Sequence, residues 1–419
     1  MLASCIGVCL NEADSRVGRE GMVPEELQVS IVGGGIGGLT AALALRARGL
    51  SVTVFEQANE LREIGAGVTI NPNAMLLLHR IGLADQIERI GCLITGQVMR
   101  TSAGELINAS TPRSTSSQSY NVHRAELLKL LAEAQPEGTL HLGHRLSGAR
   151  EIDERVILNF SNGVSVKTDV AIGADGIHST LQREIGLKTF PLSEGIMAYR
   201  GLIPIEKLSW AKDIGGRMSR WIGKGRSFLC YPVSRGRLLN MVAFVPTDLD
   251  TEESWTAPGD LMTLRAEYAG WDDPVLETIG ALDSTFRWGI YDRAPLPYWS
   301  SGRATLLGDA AHAMVPHLGQ GAAQAIEDGF TLAVFLEGAR APDTPKRLKA
   351  YERTRLARTS QIQALARETG RLFRAEYDDP VERDRFMAKW MAANGQIRAY
   401  DAEAVAKDAF VLASDAGSI

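Results

Sequence analysis

The chain has 419 residues, 45% of them hydrophobic and 23% charged, with a formal net charge of −5. That length is ample for a large core and two or three domains, while the acidic balance and the lack of a long Lys/Arg block remove the electrostatic case for nucleic acid. Four scattered cysteines (Cys5, Cys9, Cys92, Cys230) fit neither a disulfide framework nor zinc spacing and point to a reducing, cytoplasmic setting, and no run of about 18 uninterrupted apolar residues is present to span a membrane.

Residues 1–27 read as a flexible N-terminal extension. Met1 to Leu10 is mildly apolar but has no basic leader and is cut off by Asn11-Glu12-Ala13-Asp14, a poor signal peptide. Val29-Ser30-Ile31-Val32 then has the texture of a short buried strand. It meets the turn Gly33-Gly34-Gly35-Ile36-Gly37-Gly38, and a run of helix formers follows from Leu39 to Leu45. Gly33, Gly35 and Gly38 occupy the G-x-G-x-x-G positions. Without Cβ atoms they let the chain turn sharply, let backbone N–H groups approach a pyrophosphate, and let the helix press onto the strand. A second strand, Ser51 to Phe55, ends at Glu56, roughly 20 residues past the glycines, where a ribose-binding acid belongs. Strand, turn, helix, strand and acid in this order indicate a dinucleotide site rather than a ligand-free αβ turn; the spacing alone does not choose between FAD and NAD.

Further along, Gly65 to Asn73 reads as a loop entering a helix over Ala74–Ile81, stopped by Gly82. His123-Arg124-Ala125-Glu126 opens an amphipathic helix that ends near Gln135-Pro136. Residues 155–168 spell a β-hairpin about Ser161-Asn162-Gly163, and Val170 to Gly173 is an apolar strand closing on Ala174-Asp175-Gly176. Between about Leu187 and Phe286 short alternating runs appear, such as Ser227 to Val233 and Leu238 to Phe244, and indicate a separate, mostly antiparallel sheet. Ala304 to His312 returns to the strand-to-turn style of the first half, a helix follows over Gln320–Gly338, and residues 345–407 are charged and helical, with an arginine-rich face expected to be solvated or used in self-association. The chain carries no HExxH, no GxSxG and no cysteine pair at ligand spacing.

The glycine turn with Glu56, the segment Gly173-Ala174-Asp175-Gly176-Ile177-His178-Ser179 and the segment Leu307-Gly308-Asp309-Ala310-Ala311-His312 together resemble the single-component FAD-dependent aromatic hydroxylases, the p-hydroxybenzoate hydroxylase-like flavoproteins. Within them, Gly65-Ala66-Gly67, Tyr199-Arg200-Gly201 and Ala313-Met314-Val315-Pro316-His317 are similar to the salicylate, 3-hydroxybenzoate and 6-hydroxynicotinate monooxygenases. The resemblance implies an α/β fold: a Rossmann-like FAD-binding domain in two parts, 28–186 and 287–344, an interposed mostly antiparallel β-sheet substrate domain over 187–286, and a C-terminal helical region over 345–419. It implies that the dinucleotide is FAD, held by Gly33, Gly35, Ile36, Gly38, Glu56, Gln57, Val68, Arg124, Asp175, Asp309, Gly321 and Ala322. NADH or NADPH would be a passing reductant without a Rossmann domain of its own, and the other partners a small aromatic substrate and O2, with no nucleic acid, no membrane, and a monomer or homodimer. Arg124 matches the arginine that contacts the FAD linker, Asp309 the acid on the ribityl hydroxyls, and Asp175 an acid serving FAD and NAD(P)H. For Asp175 a purely local turn role stays open, as does capping of the next turn for Asp309.

The chemistry implied is oxygen transfer to an electron-rich ring through a flavin C4a-hydroperoxide, in a site that excludes water. Ionising a phenol of pKa about 10 at pH 7 costs roughly 4 kcal/mol, so a base or hydrogen-bonding group near the ring is expected. His317 is the first candidate for that group, because an imidazole titrates near about pH 6.5, and Tyr231 is the second, as a partner for the substrate hydroxyl. His312 is expected to brace the Gly308-Asp309 turn. Thr69 stands where 6-hydroxynicotinate enzymes carry histidine and Ser227 where 3-hydroxybenzoate enzymes do, which leaves salicylate-type hydroxylation as the leading subtype. For a carboxylate substrate, Arg226, Arg235 and Arg237 are the nearby cations, each equally readable as a solvated turn residue. Two alternatives stay open: a related flavin monooxygenase acting on urate, a quinone precursor or a polyketide, and a non-catalytic FAD-fold protein that binds a partner.

Overall fold

Five short strands spaced between helices assemble a parallel sheet in the order Ala304–Leu306, Val170–Gly173, Gln28–Val32, Ser51–Phe55 and Leu140–His141, with Val29 registered against both Val170 and Val52. The computed structural model that shows this describes residues 26–61, 67–111, 118–247, 257–377 and 379–419. The expected N-terminal extension lies outside the described residues up to residue 25, as do Cys5, Cys9, Gly65 and Ala66. The sheet is buried on both faces, which is why its strands read as unbroken apolar runs; Ile31, Val54 and Ile172 are fully buried. Helices Ile36–Arg46 and Gly321–Leu336 cross on one face, so close that a Cβ on Gly329 would stand 2.8 Å from the Ala41 Cα.

The second sheet has eight strands, ordered Ala257–Pro258, Phe286–Asp292, Leu192–Pro204, Leu238–Pro246, Arg226–Val233, Arg217–Gly223, Gly96–Thr101 and Leu106–Ser110. Its pairs are antiparallel except Arg217–Gly223 with Gly96–Thr101, which is parallel. The sheet therefore draws two strands from residues 96–110, outside the 187–286 stretch expected to form it. A parallel partner distant in the chain carries no hairpin turn to announce it.

Strand periodicity sorts the residues of this sheet onto two faces. Trp221, Phe228, Cys230, Met241 and Ala243 point into a buried cluster. On the other face a row runs through paired positions Met99, Arg220, Leu229, Val242 and Arg200 and faces the cleft between the sheets. Arg200 and Arg220 stand three strand spacings apart, roughly 14 Å.

The helices fall close to the expected positions: Pro72–Arg80 with proline at its start, Arg124–Glu133, and Gly321–Leu336. Three helices close the chain, Thr344–Leu372, Pro380–Arg398 and Ala402–Asp415. The solvated arginine face expected there is only partly so. Arg355 is fully buried, its Nε 2.7 Å from Asp328 Oδ1 and its Nη1 2.6 Å from Glu327 Oε2, and Arg358 closes a second pair with Glu327 at 2.8 Å. Two carboxylates on the apolar helix Gly321–Leu336 make that burial tolerable, a pairing that helical charge patterns do not announce. Among the described residues no helix is long and apolar enough to cross a membrane.

Candidate active site

The first strand delivers the chain into a turn only glycine fits. Gly33 has φ +114°, and a Cβ there would lie 2.2 Å from the Ala174 carbonyl oxygen; a Cβ on Gly38 would lie 2.0 Å from the Gly33 oxygen. Helix Ile36–Arg46 begins at Gly35 with no side chain capping it, so its first N–H groups and positive dipole end are left for an anion. Glu56 accepts the Gly34 N–H at 2.7 Å and the Ala58 N–H at 2.8 Å, which fixes its carboxylate at the rim of the turn.

Gly33, Gly35, Glu56, Gln57, Arg124, Asp175 and Asp309 line one cleft of about 820 Å³. It continues into an inner pocket of about 390 Å³, bordered by Ile36, Val68, Gly321, Ala322, Tyr231 and His317. Gly35, Arg124 and Asp309 border both. Gly38 alone among the expected cofactor contacts lines neither; it lies under the turn and lets the helix close on the strand.

Two acids expected to serve the cofactor separate on inspection. The Asp309 carboxylate is exposed in the cleft and takes no hydrogen bond from the described residues, so it remains available to a ligand hydroxyl. Asp175, by contrast, is committed locally: it accepts from the Ser179 hydroxyl and from the backbone N–H groups of Thr180 and Leu181 at 2.7 and 3.2 Å. Burial raises its carboxyl above the ordinary value against the pull of those donors. Asp175 thus borders the cleft as the brace of a turn, the local role that its sequence context left open beside a part in nucleotide binding. Asp328, unremarked in the sequence, holds the Asp309 turn from below. It accepts the Gly308 N–H at 2.9 Å and the His312 Nε2–H at 2.6 Å, making His312 the brace expected of it. Burial alone would raise Asp328, but His312 and Arg355 outweigh it and hold the carboxyl at about 2.

In the inner pocket Tyr231 donates to the Gly67 carbonyl at 2.9 Å, while Asn240 accepts the Gly67 N–H at 2.8 Å. Together they fasten strand Gly67–Ile70, beside the cleft, to the eight-stranded sheet. The phenol's proton is therefore spent on Gly67, and burial pushes its pKa to about 12. Thr69 also lines the pocket and donates to Asn121 at 2.8 Å. His317 is buried, its ring tilted against Phe244 at 4.8 Å and its Nε2 3.1 Å from Arg374 Nη1. Burial, then Arg374 and Arg220, hold its pKa well below the ordinary imidazole value, so the ring is neutral at working pH.

The arginines singled out near the Ser227 strand do not reach this pocket. Arg226 is paired with Glu267 at 2.6 Å, Arg235 sits in a left-handed turn at φ 60°, and Arg237 donates to the Ser234 carbonyl. Ser227 is buried away from the cleft as well. Arg220 and Arg398 border the pocket instead, with Arg200 on the shared wall. Arg220 lies over the Phe373 ring at 4.0 Å, its buried Nη1 has no partner among the described residues, and burial lowers its pKa to about 10. Period two along Arg217–Gly223 was the signal that could have found it, since Trp221 on the opposite face belongs to the core.

Comparison with known proteins agrees with this geometry. The model of a family described as an FAD-binding domain matches residues 26–366. The chain is 35% identical to 3-amino-4-hydroxybenzoate 2-monooxygenase of Streptomyces platensis, over 85% of this chain and 91% of that one. It is 33% identical to 6-hydroxynicotinate 3-monooxygenase of Bordetella bronchiseptica, over 81% and 91%. The solved structure of a salicylate hydroxylase in complex with substrate superposes with a TM-score of 0.80 at 28% identity, covering 92% of this chain and 98% of that one. The chain belongs to this FAD-binding family as an FAD-dependent aromatic monooxygenase.

Proposed function

We propose that the protein hydroxylates a small phenolic or pyridine carboxylic acid in the manner of salicylate 1-hydroxylase, with NADH or NADPH as reductant. The observation that carries this reading is Arg220, whose buried Nη1 has no partner among the described residues, set among Met218, Leu229, Val242 and Phe244 beside His317 in a pocket that Arg124, Arg200 and Arg398 also border. A buried guanidinium without a carboxylate partner favours an anionic ligand, because the ligand recovers the solvation the protein has removed. The relatives named above act on rings that bear a carboxylate, which agrees.

FAD fits the residues present: the Gly33 turn and the open helix end suit its pyrophosphate, Glu56 its ribose, and the unengaged Asp309 carboxylate its ribityl hydroxyls. When bound it supplies hydride acceptance and oxygen activation, which no side chain here provides. The chain's own contribution is to orient the ring, exclude water and favour its ionised form. Helix Pro380–Arg398 contributes Met387, Trp390 and Met391 to the pocket wall and so shields the ring from solvent. Arg220 and His317 border the space where the ring's oxygen substituents belong.

The purified protein decides the matter. It is expected to be yellow and to oxidise NADH or NADPH faster when salicylate, 3-amino-4-hydroxybenzoate or 6-hydroxynicotinate is added, with a product one oxygen heavier; accompanying loss of CO2 identifies the salicylate type. A yellow protein that none of these acids stimulates would remove the proposed substrate class.

A further inference from the structure

Resting on that substrate reading, the structure assigns His317 a role opposite to that of a base: we infer that it donates a hydrogen bond from Nδ1 to the substrate's phenolate oxygen, in a tautomer that Arg374 imposes. The argument begins at the other nitrogen. Arg374 Nη1 lies 3.1 Å from His317 Nε2, and a guanidinium has only donors. Nε2 must therefore offer its lone pair, and in a neutral ring the proton resides on Nδ1. Glu194, 3.5 Å from Arg374 Nη2, holds that guanidinium in place.

The packing leaves Nδ1 as the polar atom this residue can turn to the pocket. The Cδ2–Nε2 edge is pressed against helix Thr344–Leu372, where a Cβ on Gly370 would come within 2.3 Å of Cδ2 and 2.6 Å of Nε2. Phe244 covers a face of the ring and carries no charge. Nδ1, on the far edge of a ring that lines the pocket, is buried with no partner among the described residues. A buried N–H without an acceptor is costly to keep and is satisfied when an anion arrives.

The charged groups bearing on the ring act in the same direction. Arg374 from the end of helix Thr344–Leu372 and Arg220 from strand Arg217–Gly223 are both cations, and both oppose protonation of the imidazole while attracting a phenolate. The proton balance is simple. The phenol O–H bond breaks with its proton passing to bulk water, the ring binds as the phenolate, and the Nδ1–H···O⁻ hydrogen bond forms without proton transfer to the imidazole. Arg374 is a positioning residue in this scheme, since it acts only through His317.

Two measurements on the holoenzyme test this. The first is ¹⁵N–¹H correlation of ¹⁵N-histidine-labelled protein between pH 7.5 and 6, with the His317 signals assigned by their absence in H317N. The Nδ1–H tautomer is expected throughout in the wild type, lost to a mixture in Arg374→Met and restored in Arg374→Lys. The second uses geometry: an asparagine amide nitrogen falls near the place of Nδ1, a glutamine amide nitrogen near Nε2, and neither is a base. With salicylate as probe, His317→Asn is expected to lower stimulated NAD(P)H oxidation by no more than about tenfold. His317→Gln and His317→Ala are expected to lose on the order of 10²-fold, the usual consequence of removing a positioned donor to an oxyanion. An Nε2–H tautomer, an imidazolium at pH 6, or His317→Asn as inactive as His317→Ala would each overturn the inference. An Nδ1–H tautomer in a protein that hydroxylates none of the panel acids would instead overturn the proposed substrate class and leave the tautomer assignment intact.

Discussion

Gly370→Ala tests the site from outside it. Gly370 lies in the last turns of helix Thr344–Leu372 and touches no part of the cleft, yet an added Cβ would stand 2.3 Å from His317 Cδ2, where ordinary contacts begin at 3.4 Å. The helix backbone is rigid and the imidazole is wedged against Phe244, so the ring must give way. A retreat of about 1 Å by a group aligned on the reacting ring costs on the order of 10²-fold in turnover. Stability should not fall in step, because alanine in a helix interior is favoured over glycine by about 1 kcal/mol. The assay has three readings: flavin absorbance per protein, the rate of substrate-stimulated NAD(P)H oxidation, and the fraction of that oxidation that yields hydroxylated product. Unchanged flavin content with a collapsed rate or product fraction is expected. Full turnover with full product yield would refute the placement of His317 against this helix and with it the role given to the ring.

Three other outcomes follow from the buried polar groups. Arg355→Met strips Glu327 and Asp328 of their cation and should cost about 3–5 kcal/mol, seen as a fall of several degrees in melting temperature; an unshifted melting curve would contradict the burial of this cluster. Tyr231→Phe loses a hydrogen bond to the Gly67 carbonyl, a matter of about 1 kcal/mol, and should alter KM a few-fold while leaving the pH profile of kcat unchanged, since this phenol stays protonated up to about 12. A kcat loss on the order of 10²-fold would show that the hydroxyl acts on the substrate after all. Below about pH 6.5 the unfolded chain protonates His317 while the native ring resists, so its contribution weakens as pH falls, by about 1.4 kcal/mol per pH unit down to the native pKa. Urea unfolding at pH 7.5 and 5.5 should show a steeper loss in the wild type than in His317→Asn; equal losses would mean that the ring is protonated in the folded protein.

What could be read from the chain beforehand was whatever is dictated locally. The strand–turn–helix around Gly33 needs glycine for steric reasons confined to a few residues and one carbonyl, and such requirements leave their mark in order and spacing. Asp309 was singled out differently, through the resemblance of its Leu307 to His312 segment to a known family, and not through any local steric demand. Partnerships across the fold were not legible. Arg226 and Arg220 are six residues apart in the chain, and only strand register sends one to Glu267 at the surface and the other into the pocket. Nor did any pattern foretell that Asp328, in the middle of an apolar helix, would hold the Asp309 turn from below, or that Arg374 would be the group that decides which nitrogen of His317 carries hydrogen.

The parallel seam between Arg217–Gly223 and Gly96–Thr101 has a consequence for how the molecule is made. During synthesis the Gly96–Ser110 ribbon emerges long before the strand it must join, and it waits with an open edge while the intervening chain is translated. Such distant pairing slows folding and exposes the ribbon to wrong neighbours. It also stitches the oxygenation chamber to the nucleotide half, so neither half is a free-standing module that a gene fusion or a truncation could lift out intact.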